Sequence, residues 1–358
     1  MSNVIFSFFS GSGFLDLGFE KSGFEVVFVN ELEPQFIKAH EYSRTKMGFC
    51  APKYGYQVNS IENYLSNDDY LKKCISLEVK KGNLVGFIGG PPCPDFSVGG
   101  KNAGKTGENG KLSRSYIECI KKYMPDWFVF ENVKGLWRTQ KHRKFYDELK
   151  SELIDSGYEL NDRLINSLEF GVPQDRDRII LFGVKKEVYK DFDVFFDWEK
   201  YMRYPNQMAF SYKWPDKNTF GSNLKIPSNI PLELTVDYWF KQNEVHLHPN
   251  KDHHFTPRAG LAKFLVIDEG DTSKKSYKRL HRFRYSPTAA YGNNEVHLHP
   301  TEPRRISAAE AMAIQSLPKN FELPSSMTLS AMFKTIGNGV PYLFSYGIAN
   351  TIKDYFKD

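Results

Sequence analysis

The stretch GGPPCPDFSVGG, Gly89 to Gly100, sets one thiol, Cys93, behind two prolines and in front of a third. Proline fixes φ, removes a backbone donor and pushes the residue before it towards extended geometry. A cysteine flanked in this way is held in one direction at the end of the apolar run LVGFIGG, Leu84 to Gly90. On this stretch alone, a directed nucleophile and a rigid turn with a bystander thiol are both open. A second group ends the run DWFVFENV: Glu131, followed by Asn132. A carboxyl set among Phe, Val and Trp is expected to have a raised pKa and to hold a proton. The third set is Gln174, Arg176 and Arg178 in FGVPQDRDRIILFGV. In an extended segment these alternate positions face one way. One amide and two guanidiniums suit phosphates or base edges; surface salt bridging is the plainer alternative.

A fourth stretch, FFSGSGFLDLGF (Phe8 to Phe19), reads as a strand, a Gly-x-Gly turn and a helix. Glycines there let a ligand approach the backbone, and a helix N-terminus favours negative charge. A dinucleotide loop needs a third glycine where this chain has Asp16, which weighs against NAD or FAD. Glu31 ends the next strand, where a carboxylate can accept both hydroxyls of a ribose. Together these point to a nucleoside ligand with little or no phosphate. Downstream of Cys93, VGGKNAGKTGENGK (Val98 to Lys111) is glycine-rich and basic. It reads as a lid that closes over a phosphate backbone, or simply as a solvated loop.

The elements that must position these groups alternate. Strands are expected at 4–9, 25–31, 83–90, 126–133 and 178–184, and helices at 13–23, 34–48, 113–124 and 144–157. Continuous apolar strands between helices argue for a mostly parallel, Rossmann-like α/β sheet covered on both faces. The rhythm breaks near Lys185. From there to about Pro303 the chain is rich in Pro, Asn, Lys and His, which reads as a smaller, irregular, strand-containing domain. Helical pattern returns at 307–317 and 342–356. The expected division is 1–184, 185–325, and a segment 326–358 that returns to the first domain.

With 358 residues, 41% of them hydrophobic, the chain can bury a sizeable core. A net charge of +5 permits a polyanionic partner without requiring one. Four cysteines without a CxxC pair suggest neither a disulfide framework nor a zinc site, and fit a reducing cytosol. No run approaches a membrane span, so a cytoplasmic protein is expected. The heptapeptide NEVHLHP occurs twice, at 243–249 and 294–300. It alternates like a strand, with Val and Leu on one face and Glu and the two His on the other. No cysteine or carboxylate framework accompanies the histidines, so no metal site is expected.

These blocks, in this order and spacing, resemble the DNA (cytosine-5) methyltransferase family over nearly the whole chain apart from the irregular domain. The family's Pro-Cys-Gln reads Pro92-Cys93-Pro94 here; Glu131 to Val133 match its Glu-Asn-Val, and Gln174, Arg176 and Arg178 its Gln-x-Arg-x-Arg. RRISAAEAMAIQSLP (Arg304 to Pro318) and IGNGVP (Ile336 to Pro341) look like its last two blocks. Ser7 stands where the family has Asp, Phe14 where it has a third glycine, and Asn59 or Ser60 where it has an acid.

The resemblance implies methyl transfer from S-adenosylmethionine to carbon 5 of a cytosine flipped out of double-stranded DNA. The Cys93 thiolate adds to carbon 6 while Glu131 shares a proton with N3. Arg178 holds the flipped base, and Arg176 braces the catalytic loop or the substrate. The implied cofactor pocket comprises Phe9, Ser10, Gly11, Ser12, Gly13, Phe14, Leu15, Glu31, Leu32, Ser60, Ile61, Gly90, Pro92, Asn338 and Val340. DNA contacts are expected from Ser97, Lys101 and Gln174. They are also expected from the basic, aromatic run KKSYKRLHRFRY, through Lys278, Arg279, Arg282 and Arg284. The implied protein is a monomeric modification enzyme, with a cognate restriction endonuclease as possible partner. RNA methylation and a non-catalytic DNA-binding relative are the alternatives.

Overall fold

The computed structural model describes residues 3–66, 69–92, 108–257, 260–274, 276–289, 291 and 297–357. The first half alternates as β1 (Asn3–Phe8), α1 (Phe14–Ser22), β2 (Glu25–Glu31), α2 (Pro34–Lys46), β3 (Tyr56–Val58), α3 (Ile61–Ser66), α4 (Asp69–Lys80) and β4 (Leu84–Gly89). It continues with α5 (Glu108–Tyr123), β5 (Trp127–Val133), α6 (Gly135–Arg138), α7 (Gln140–Asp155), β6 (Tyr158–Asn166) and β7 (Asp177–Lys185). Among the described residues these strands form one seven-stranded sheet in the order β3-β2-β1-β4-β5-β7-β6.

Both faces of the sheet are covered, and β1 shows it by alternation. Val4, Phe6 and Phe8 of β1 pack into one core with Phe28, Phe87, Phe128 and Phe130. Ile5 packs into the opposite core with Val29, Ile88, Trp127 and Val129. Each fully buried Phe contributes about 1.5–3 kcal/mol through lost apolar exposure. Gly86 leaves room for the Trp127 indole: a Cβ there would lie 2.1 Å from the ring.

The expected parallel pairing holds for β1, β2, β4 and β5, and β3, which was not expected, also pairs in parallel with β2. β7 differs: it runs antiparallel to both β5 and β6. The β6–β7 connection is short, and a short connection joins antiparallel neighbours. The sequence reading did not anticipate β6. Its residues YELNDRLIN are polar and mostly half-buried, as suits a sheet edge.

The later chain carries α8 (Phe192–Phe195), α9 (Val236–Gln242), α10 (Leu261–Leu265), β8 (Lys278–Arg279) and β9 (His297–Leu298). β8 and β9 pair in parallel as a separate two-stranded ribbon. Phe192, Phe196, Trp198 and Met202 pack on the sheet beside the C-terminal helix. The first NEVHLHP copy is not a strand. It forms successive turns after α9, with Glu244 at φ 47°, and Val245 is buried while Leu247 is exposed. Among the described residues of the second copy, His297–Leu298 is strand. Local alternation lost to turn geometry, since no neighbouring strand pairs with the first copy. No cluster of metal-ligating side chains occurs among the described residues.

The chain closes with α11 (Ala308–Ile314), α12 (Leu329–Asn338) and α13 (Tyr342–Tyr355). Ser307 caps α11 in a capping box with Glu310. α13 packs along α1, where Ser345 Oγ donates to the Leu15 carbonyl at 2.5 Å. No helix among the described residues is long and apolar enough to cross a membrane.

Candidate active site

The strand register lines up one row across the sheet. Asn30 pairs with Phe8, Phe8 with Gly89, and Gly89 with Phe130. The residues one step further are Glu31, Phe9, Gly90 and Glu131. Four stretches separated in sequence therefore emerge side by side at the carboxyl edge. The chain order reverses between β1 and β4, and α/β sheets bind ligands at such a switch point.

Glu131 is the buried acid of this edge. A Cβ on Gly90 would lie 2.7 Å from Glu131 Oε2, so the turn after β4 runs directly against the carboxyl. Its other oxygen, Oε1, lies 2.8 Å from Arg178 Nε. Burial pushes the Glu131 pKa up, and the Arg178 and Arg176 charges pull only partly against it. This agrees with the expectation of a raised pKa at this carboxyl. The antiparallel direction of β7 is what brings Arg178, near that strand's start, to the end of β5 (Val133 pairs with Arg178). Asn132 is buried beneath; its Oδ1 accepts the Val133 N–H at 2.8 Å. Cys93, Ser97 and Lys101 lie outside the described residues.

The glycine turn between β1 and α1 is tied down on several sides. Ser10 N–H donates to the Asn30 carbonyl at 3.1 Å. Gly11 N–H donates to Glu31 Oε2 at 2.9 Å, and Ser12 Oγ lies 2.8 Å from Thr335 Oγ1 of α12. Glu31 Oε1 also accepts the Glu33 N–H at 2.9 Å. Each carboxylate oxygen retains a lone pair for a hydroxyl. Burial raises the Glu31 pKa against the pull of these N–H groups. Beside it Leu32 is 65% exposed, an apolar surface against which a planar ring can lie. A carboxylate with spare acceptors, an apolar shelf and an open glycine turn fit a nucleoside-bearing cofactor.

The other expected pocket residues divide. Ser60 and Gly90 are half-buried, and Pro92 and Asn338 are exposed. The side chains of Leu15, Ile61 and Val340 are buried in the cores, so only their backbones can face a ligand. Phe14 is a correction of the same kind. Its ring meets Phe321 edge-on at 5.1 Å and fills the space beside Gly339, so it packs in the core behind the turn.

The alternate positions 174, 176 and 178 do act on one region, but mainly on protein. Gln174 is fully buried; its Nε2 lies 3.4 Å from Gln315 Oε1 and its Oε1 accepts the Ala289 N–H. A base edge cannot reach it, which corrects its expected DNA contact. Arg176 is also buried and donates through Nη2 to the carbonyls of Gly337 and Gly339 at 2.9 and 3.0 Å. It braces the C-terminal turn after α12, whereas the expectation was a catalytic loop or substrate.

The basic run is likewise largely structural. Arg279 is fully buried, and its guanidinium donates to the carbonyls of Phe264, Ile267, His299 and Glu302. Arg282 pairs with the buried Glu269 at 2.7 Å and donates to the Ser222 carbonyl. Neither guanidinium faces a phosphate, because the irregular segment has few ladders and uses these arginines to satisfy its carbonyls. Lys278 and Arg284 remain partly exposed. The sequence reading overlooked Arg44 and His40, buried side chains behind the glycine turn. Their place on the inner face of α2, with Phe36 and Ala39, was the only signal.

Known proteins resemble this chain over nearly its whole length. The chain is 59% identical over 357 residues to the Type II methyltransferase M.NmeDI of Neisseria meningitidis serogroup C, covering 99% of this chain and 84% of that one. It is 28% identical to the Type II methyltransferase M.FnuDI of Fusobacterium nucleatum, over 99% and 95% of the two chains. Its fold is similar to that of a candidate DNA modification methyltransferase encoded within an E. coli prophage, with a TM-score of 0.69 at 21% identity and full coverage of both chains. The sequence profile of the C-5 cytosine-specific DNA methylases matches residues 4–354, and the chain belongs to that family of enzymes.

Proposed function

We propose that this enzyme transfers a methyl group from S-adenosylmethionine to carbon 5 of a flipped-out cytosine in a defined duplex sequence. It does so through a covalent Cys93 adduct, as the modification enzyme of a Type II restriction-modification system. The observation that carries this reading is the single row that brings the glycine turn, Glu31, Gly90 and Glu131 to one edge. Cys93 follows Gly90 by three residues.

The Cys93 thiolate adds to carbon 6 of the cytosine and opens its double bond to carbon 5. Glu131, held by Arg178, delivers its proton to ring N3 as charge arrives there. Arg178 also lies within reach of the base that Glu131 addresses. Bound S-adenosylmethionine supplies the electrophilic methyl. Loss of the carbon 5 proton to water, departure of the Cys93 thiolate from carbon 6 and return of the N3 proton to Glu131 then restore the double bond and the neutral ring. Cysteine suits both steps because it adds and leaves readily near neutral pH.

The glycine turn, Glu31 and Leu32 hold the adenosine, with residues 1–184 and 326–358 as the catalytic part. Residues 185–325 read the target, with Lys278 and Arg284 on phosphates and Ser97 and Lys101 closing from the loop. The enzyme acts as a cytoplasmic monomer beside a nuclease of the same specificity. Transfer of labelled methyl groups to unmethylated genomic DNA tests this, with RNA in parallel and Cys93→Ser as control. Label on DNA that vanishes with Cys93→Ser is the expected result, and bisulfite sequencing then gives the site. Label on RNA alone, or label that survives the substitution, refutes the reading.

A further inference from the structure

The glycine turn rests on a buried polar cluster that no part of the proposed chemistry uses. Gly13 sits at φ 78° as the N-cap of α1, and its carbonyl accepts the Leu17 N–H at 3.0 Å. The same carbonyl accepts a second bond, from Nη2 of Arg44 on α2. Arg44 Nε donates to Glu20 Oε2 of α1 at 2.6 Å, so one guanidinium grips both the turn and the helix that follows it. The guanidinium is almost wholly removed from solvent. His40, one turn earlier on α2, closes the back of the turn. A Cβ on Gly13 would lie 2.6 Å from His40 Nε2 and 2.8 Å from Arg44 Nη2. Asp16 completes the cluster, with Ser7 Oγ donating to its Oδ1 at 2.8 Å.

A buried charge is costly unless it is paired and hydrogen-bonded, and an apolar residue at position 44 would fill the same space without that cost. The arginine is explained by what it holds. Ser10, Gly11 and Ser12 are fastened to β2 and α12, and Arg44 fastens the fourth residue of the turn. Resting on the reading that this turn binds S-adenosylmethionine, we infer that Arg44 is a positioning residue. It holds the Gly13 carbonyl, and with it the turn, in the conformation that receives the cofactor. Preorganisation of this kind appears as affinity. Loss of the grip should therefore weaken cofactor binding and leave the methyl-transfer step intact once the cofactor is bound.

The test measures the Kd for S-adenosylmethionine by calorimetry, together with KM and kcat for DNA methylation. The variants are Arg44→Lys, Arg44→Gln and Glu20→Gln. Lysine keeps the charge and cannot span both Gly13 and Glu20; glutamine removes the charge and folds where a misplaced ammonium would not. Both should raise Kd and KM for the cofactor about tenfold, the worth of one charge-assisted hydrogen bond, with kcat at saturating cofactor within about twofold of the parent. Glu20→Gln leaves the Gly13 bond in place; it should lower thermal stability yet bind the cofactor as the parent does. Parent-like Kd in both Arg44 variants overturns the inference. So does an equal loss of affinity in Glu20→Gln, which would mark general destabilisation. A parent protein that binds no S-adenosylmethionine overturns the functional reading beneath it, and is distinguishable because it needs no variant.

Discussion

Asp16 offers a quantitative test of the cluster beneath the cofactor turn. It is fully buried, and burial, aided by the charge of Glu20, lifts its pKa from 3.8 to about 7 against the opposing pull of Arg44 and the Ser7 hydroxyl. A carboxyl whose folded pKa lies above its unfolded value binds its proton more tightly in the folded state. Its contribution to stability is complete below pH 3.8, falls as pH rises, and is gone above about pH 7. At 1.36 kcal/mol per pKa unit, the whole interval is worth about 4 kcal/mol. The part between pH 5 and pH 8 is worth about 2.5 kcal/mol. Asp16→Asn keeps the shape and an oxygen for the Ser7 hydroxyl but cannot ionise. Its unfolding free energy, measured by urea titration with tryptophan fluorescence, should gain on the parent by about 2.5 kcal/mol between pH 5 and pH 8. The raised carboxyls of Glu20, Glu31 and Glu131 slope the same way, but they are present in both proteins and cancel to first order. Parallel stability curves for the two proteins would refute the reasoning and mean that Asp16 is ionised in both states at pH 5.

Three further outcomes are expected, one at the site and two in the irregular segment. Glu131→Gln keeps the volume beside Gly90 but cannot pass a proton, so single-turnover methylation should slow by about 10²–10⁴ with cofactor binding unchanged. In the irregular segment, Arg279→Met strands three buried carbonyls and one part-buried one; it should cost about 2–5 kcal/mol of stability on thermal or urea unfolding and leave the salt dependence of DNA affinity unchanged. Lys278→Met should do the reverse, leaving stability alone and reducing the log–log salt slope by about 0.9.

Most of the scaffold was legible in the sequence. The runs VIFSFF, EVVFVNE and WFVFENV are apolar at successive positions because both sheet faces are covered, so they announced parallel strands and their helices. Residue type and spacing marked Cys93, Glu131, Glu31 and Arg178 as candidates, and the resemblance of their blocks to the cytosine-5 methyltransferases gave the family. Burial was less legible. Arginine and glutamine look alike to a sequence reader whether they meet phosphate or carbonyl. Gln174, Arg176 and Arg279 spend their donors or acceptors inside the protein because irregular backbone must satisfy its own polar groups. NEVHLHP alternates, yet its first copy turns, since alternation specifies a strand only when a neighbour is there to pair with it.

Sequence by itself determined the alternating layers and the chemical identity of the groups, because side-chain period and residue type are local properties. Tertiary structure decided which of those groups meet. Register placed Glu31, Gly90 and Glu131 one step beyond a single row. The reversed direction of β7 carried Arg178 to Glu131, and α2 put Arg44 behind Gly13. Such meetings depend on strand direction and on contacts between residues far apart in the chain, and no local pattern encodes either.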